Sequence, residues 1–326
     1  MDAHILDTFG LLVFGFILLV KGADWFVEGA AGIADKAGVP HIVVGLTIVA
    51  MGTSAPETAI SLTASLRGSA DMAVGNIIGS NIMNVLVILG LTAVITPLAV
   101  RKSTACYDIP FVVLVSALFP ALGLGSGILR GTAAPNGALS RPDGVVLLVL
   151  FAAYLCYLFA MVKRGEAEAE DVPDGKGATW PKLFFLLALG LALIVLGSNY
   201  TIRSATTIAQ TFGMSERFIG LTIVAFGTSL PELATCVAAA LKKNADIAIG
   251  NIIGSNIFNM LFVGGVSAVV RNVPYQGRFF IDSAVCLLSA ALLLLCVAST
   301  KKRTLGRAGG IAMLVAYAGY FAYLVR

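Results

Sequence analysis

The chain has 326 residues, of which 58% are apolar and 12% charged, with a formal net charge of +4. A soluble domain carries roughly 25% charged residues, so this composition excludes a fold that faces water over most of its surface. The positive excess is spread over short loops rather than gathered on one face, which excludes a nucleic-acid partner.

Apolar blocks of about 20 residues, enough to cross roughly 30 Å of hydrocarbon, follow one another along the chain. They predict an all-α integral membrane protein with ten transmembrane helices at 5–34, 42–66, 71–96, 105–124, 144–163, 183–209, 217–241, 246–269, 279–299 and 308–325. The first apolar block, Phe9–Val20, has no basic stretch before it and no small-residue cleavage site after it, so it is expected to be a span rather than a removed signal. Lys163–Lys182 is acidic, carries Pro and Gly, and reads as a solvated linker. The expected organisation is a first five-helix unit over 1–163, a linker over 164–182 and a second five-helix unit over 183–326. With the N-terminus outside, fourteen of the 22 Lys and Arg fall in inner loops and eight in outer ones. The positive-inside rule then places both termini outside and the linker in the cytosol of a cell (inner or plasma) membrane. Cys106, Cys156, Cys236, Cys286 and Cys296 have no pairing or ligand spacing and are expected to be small packing residues.

A repeat dominates the chain. Gly45–Gly90 and Gly220–Gly265 align without a gap at an offset of 175 residues, and more than half of the 46 positions are identical. Half of the identities are Gly, Thr, Ser, Pro, Glu and Asn, residues that lipid-facing packing does not require. Upstream, Gly22, Asp24 and Gly38 face Gly197, Asn199 and Gly213. Five helices separate equivalent points, and five is odd, so the second copy enters the membrane from the opposite side. Inverted-topology repeats of this kind hold a substrate near the midplane where they meet.

Within the repeat, Gly52-Thr53-Ser54-Ala55-Pro56-Glu57 matches Gly227-Thr228-Ser229-Leu230-Pro231-Glu232. A charge at the membrane centre costs about 3 kcal/mol even on the lenient insertion scale. No Lys, Arg or His lies within the central part of either motif helix to offset it. The missing positive charge is most simply a bound cation; the alternative is a pair of protonated glutamates joining helices by hydrogen bonds. Thr53 and Ser54 lie about one turn before Glu57 and offer hydroxyl oxygens on its face. Pro56 and Pro231 have no N–H, which frees backbone carbonyls a turn earlier. In the second block, GNIIGSNIMN and GNIIGSNIFN, the Gly75/Gly79 and Gly250/Gly254 pairs predict close helix approach. Ser80 and Asn84 share a face, as do Ser255 and Asn259. Asn76, Asn81, Asn251 and Asn256 read as structural hydrogen-bonding groups rather than ligands. Carboxylate, hydroxyl, amide and carbonyl donors without Cys or His suit hard ions such as Ca²⁺, or Na⁺ in its place.

These residues resemble the α-repeats of the sodium/calcium exchanger family within the cation/calcium antiporters. The likeness rests on Gly-Thr-Ser-x-Pro-Glu and Gly-Ser-Asn-Ile in both halves. It implies a Ca²⁺ site built on Glu57 and Glu232 with oxygens of Thr53 and Thr228. It also implies flanking Na⁺ sites, one from Glu57, Ser54, Ser80 and the Ala50 carbonyl, the other from Glu232, Ser229, Ser255 and the Ala225 carbonyl. Asn84 and Asn259 would line the centre. Family members commonly exchange three Na⁺ for one Ca²⁺, with helices 1 and 6 sliding across the rest. Some members carry aspartate at the position of Asn259, so here the centre has two carboxylates instead of three. The expected function is Na⁺/Ca²⁺ antiport, with no cofactor and no protein partner. Ca²⁺/H⁺ exchange, K⁺-dependent exchange and a cation channel are the alternatives. An intramembrane hydrolase using Ser54 or Ser229 lacks a base, because His4 and His41 lie near helix ends. Asp71 and Asp246 read as helix caps. Asp24, Glu28 and Asp35 are expected at an aqueous boundary.

Overall fold

The computed structural model describes residues 3–68, 70–129, 137–163, 178–212, 225–277 and 279–324. The helices are α1 (Ala3–Ala37), α2 (His41–Thr53), α3 (Ala55–Arg67), α4 (70–95), α5 (104–129) and α6 (Arg141–Lys163). They continue with α7 (Trp180–Thr211), α8 (Ala225–Thr228), α9 (Leu230–Leu241), α10 (Ala245–Val270), α11 (Phe279–Ala298) and α12 (Arg307–Leu324). The linker at 164–182 lies outside the described residues as far as 177, as does the predicted seventh helix over 217–224.

Among the described residues, seven helices are long and apolar enough to cross a membrane, and α2 with α3, bent by 52°, forms an eighth candidate. The expected ten crossings are therefore not all met by length and apolarity. Of the segment at 217–241, the described residues hold the short α8 and the 12-residue α9, and α12 is diluted by Gly and Tyr.

Short strands tie the loops into two groups. β1 (Leu98–Ala99) pairs antiparallel with β4 (Thr304–Leu305), while β2 (Gly137–Leu139) pairs antiparallel with β3 (Val273–Tyr275). Arg101 of the first group forms an ion pair with Asp246, and the Arg271 guanidinium of the second donates to the Leu66 carbonyl at 3.4 Å. The loops thus alternate between two faces, as inverted repeats require. Asp246 is engaged by Arg101; the cap of α10 is Asn244, whose side-chain oxygen accepts from the Ile247 N–H at 3.0 Å. The side chain of Asp71 lies outside the described residues. Asp24 and Asp35 are paired rather than merely solvated, with Lys242 and His41 respectively.

α4 and α10 form the inner pair, 78% and 83% buried over their apolar windows against about a third for the flanking helices. Gly45 and Gly250 let α2 lie directly on α10. A Cβ on Gly250 would stand 2.9 Å from the Ile42 carbonyl, and one on Gly254 would stand 2.6 Å from that of Leu46. Gly79 meets nothing this close among the described residues, so the close approach expected at Gly75 and Gly79 is seen only at their counterparts. α1 and α7 pack backbone to backbone, because Gly15 faces Gly197 and Gly22 faces Gly190. Those two contacts are exchanged by the 175-residue offset. Cys236 and Cys286 are buried, whereas Cys106 and Cys156 are exposed on the outer surface, where an apolar thiol is tolerated by lipid.

Candidate cation site

The chain breaks at the same point in each repeat. Ser54 (φ −82°, ψ 10°) separates α2 from α3, and Ser229 (φ −91°, ψ 8°) separates α8 from α9. Pro56 and Pro231 sit in the first turns that follow, where a missing N–H is harmless to the new helix but denies the preceding one a bond. Each restarted helix carries its glutamate in the first turn, where free N–H groups and the helix dipole favour negative charge. Glu57 is 1% exposed and Glu232 is fully buried.

The two halves exchange donors. Ser54 Oγ donates to Glu232 Oε1 at 2.8 Å, and Ser229 Oγ donates to Glu57 Oε1 at 3.4 Å. The hydroxyl hydrogens thus join each serine to the acid of the opposite repeat, whereas the flanking-site expectation groups the oxygens of Ser54 with Glu57 and of Ser229 with Glu232 around an ion. At a helix break the serine no longer stacks on its own next turn, and its side chain crosses to the facing repeat. Thr53 Oγ1 likewise crosses to Asn251 Oδ1 at 3.0 Å. Asn76 Nδ2 donates to the Glu57 carbonyl at 3.2 Å, and Asn251 Nδ2 to that of Glu232 at 3.5 Å, bracing each acid from behind.

Among the described residues, four buried acceptors in this region have no donor: Glu57 Oε2, Glu232 Oε2, Asn84 Oδ1 and Asn259 Oδ1. They are two repeat-related pairs, 57 with 232 and 84 with 259. Buried acceptors are ordinarily satisfied. A protonated Oε2 would itself need an acceptor, and an ionised one needs a positive charge. A set of unsatisfied oxygens with two carboxylates is what a hard cation coordinates.

The remaining expected ligands are distributed as follows. Ser80, Ser255, Thr228, Asn84 and Asn259 are all buried. The Ala50 carbonyl already accepts from the Ser54 N–H at 3.0 Å and from Ser255 Oγ at 3.4 Å. Ser255 Oγ thus donates to a carbonyl of the opposite half, and Ala225, whose carbonyl is the expected ligand, opens α8 at the edge of the described residues. The carbonyl that Pro231 leaves free, Gly227, is taken by Ser198 Oγ of α7 at 2.9 Å. Sequence reasoning missed Ser198; its counterpart is Ala23, so the repeat carried no signal for it. It also passed over Asp108, a fully buried acid on α5 that accepts from Tyr154 of α6 at 3.3 Å, although an acid inside an apolar block marks such a residue.

Buried hard oxygens at the junction of two inverted helical repeats define a secondary transporter of cations. The family model described as sodium/calcium exchanger protein matches residues 8–160 and 182–326. The chain belongs to the sodium/calcium exchanger family. It is 37% identical to the inner membrane protein YrbG of Escherichia coli over 80% of this chain and 79% of that one. It is 30% identical to the sodium/calcium exchanger MaX1 of Methanosarcina acetivorans over 97% and 98% of the two chains. The solved structure of the sodium-calcium exchanger NCX_Mj soaked with zero Na⁺ and Ca²⁺ superposes with a TM-score of 0.82 at 34% identity, covering 98% of this chain and 99% of that one.

Proposed function

We propose that this chain exchanges Na⁺ for Ca²⁺ across the cell membrane by alternating access, extruding Ca²⁺ at the expense of the sodium gradient. The observation that carries this reading is the symmetric set of unsatisfied oxygens on Glu57, Glu232, Asn84 and Asn259. Two carboxylates neutralise one Ca²⁺. The same oxygens, with the hydroxyls of Thr53, Thr228, Ser54, Ser229, Ser80 and Ser255 and the carbonyls of Ala50 and Ala225, serve Na⁺ when Ca²⁺ is absent. The two ions compete, so the unloaded and mixed states are penalised by unpaired buried charge. With three Na⁺ per Ca²⁺, one positive charge moves per cycle and the exchange is electrogenic.

The first five-helix unit at 1–163 and the second at 183–326 would share the site, and the linker at 164–182 would lie in the cytosol with both termini outside. The glycine seam between α1 and α7 supports a mobile pair, because backbone-to-backbone packing lacks interlocking side chains that would resist sliding. Glu57→Gln and Glu232→Gln, each leaving the fold intact, are expected to abolish ⁴⁵Ca²⁺ exchange in proteoliposomes. Undiminished flux in both variants would overturn the assignment.

A further inference from the structure

The two asparagines at the centre, Asn84 and Asn259, offer useful oxygens only if their amides face the right way. An asparagine amide presents an acceptor at one end and donors at the other, and the wrong orientation would aim N–H groups at a cation. The structure contains a device that removes this ambiguity. Asn84 Nδ2 donates to Asn256 Oδ1 at 3.0 Å, and Asn259 Nδ2 donates to Asn81 Oδ1 at 3.4 Å. Asn256 Nδ2 in turn donates to the Asn81 carbonyl at 3.3 Å, and Asn81 Nδ2 donates to the Asn256 carbonyl at 3.2 Å.

The direction of control runs outward from the main chain. A carbonyl oxygen cannot be exchanged for a donor, so it fixes which end of the Asn81 and Asn256 amides turns toward it. Their own oxygens are then turned toward Asn84 and Asn259, and flipping either of those would set oxygen against oxygen. The free Oδ1 atoms of Asn84 and Asn259 are the consequence. Each clasped asparagine also lies at the start of a π-helical stretch, Asn84 in Asn84–Leu89 and Asn259 in Phe258–Val263, a widened turn that often marks functional sites. We infer that Asn81 and Asn256 are positioning residues that lock the amides of Asn84 and Asn259 with their oxygens toward the bound cation, each acting on the residue of the opposite repeat.

The inference rests on the functional reading above and deepens it. Its test uses equilibrium ⁴⁵Ca²⁺ binding to the purified, detergent-solubilised full chain, compared across variants of equal monodispersity. Asn256→Leu removes the acceptor that orients Asn84, and loss of such an outer-shell partner is expected to weaken Ca²⁺ binding about 10- to 100-fold. In an Asn84→Asp background both ends of the side chain are oxygens, so orientation no longer matters. There the same Asn256→Leu change is expected to cost roughly twofold or less, the tolerance of independent sites. An equal loss in both backgrounds would mean that Asn256 only packs helices, and would overturn the inference while leaving the functional reading intact. A parent chain that binds no Ca²⁺ would overturn the functional reading and the inference with it. The mirror pair, Asn81→Leu with and without Asn259→Asp, supplies the same comparison should Asn256→Leu fail to fold.

Discussion

Removing the Ser54 hydroxyl tests whether the two halves share one site. Ser54→Ala leaves Glu232 Oε1 without its 2.8 Å donor, beside an Oε2 that has none. Hydrogen bonds to charged groups contribute about 1.5–3 kcal/mol, because the acceptor is buried and water cannot replace the donor. That range corresponds to a roughly 10- to 150-fold rise in the Ca²⁺ concentration for half-maximal exchange. The repeat-related bond from Ser229 to Glu57 is 3.4 Å long, near the limit of a useful hydrogen bond. Ser229→Ala should therefore cost only about 0.5–1.5 kcal/mol, or roughly 2- to 10-fold. The assay is ⁴⁵Ca²⁺ uptake into proteoliposomes against external Ca²⁺ concentration, with both variants reconstituted at matched density. Equal losses in the two variants, or a larger loss in Ser229→Ala, would refute the reasoning from bond length.

Two further outcomes follow from packing and charge. Gly254→Leu forces a side chain into the Leu46 carbonyl, 2.6 Å from where its Cβ would lie, and overpacking of this kind costs about 1–3 kcal/mol. It should lower the melting temperature in detergent and reduce transport, while Gly10→Leu, which meets nothing within 4 Å, should change neither. Arg101→Ala breaks a partly exposed ion pair with Asp246, so its effect on stability should stay within about 1 kcal/mol and weaken as salt is raised. A melting curve at low and high ionic strength checks it.

The glutamate motifs were legible in the sequence because the repeat printed them twice, and a buried acid without a nearby base announces a missing cation. Pro56 and Pro231 made the freed carbonyls legible, but not the full breaks at Ser54 and Ser229, since 42–66 and 217–241 each read as one continuous span. What the sequence does not carry is which half each side chain reaches into. Helical spacing put Ser54 on the face of Glu57, but the break at Ser54 turns its hydroxyl to Glu232, a result of tertiary packing that no local periodicity encodes. Ser198 was invisible for a related reason: its target, the Gly227 carbonyl, becomes available through a proline, yet the donor comes from a helix 29 residues earlier in the chain. Asp246 reads as a cap in the sequence because it opens a helix. The cap is Asn244, two residues before, and Asp246 turns instead to Arg101 across the loop group.

The most direct test of Na⁺/Ca²⁺ coupling is ⁴⁵Ca²⁺ uptake into proteoliposomes with sodium, potassium and proton gradients imposed one at a time. An outward sodium gradient alone should drive Ca²⁺ accumulation, which a membrane potential then alters because the exchange carries net charge. Accumulation driven by a pH gradient and indifferent to sodium would contradict the assignment.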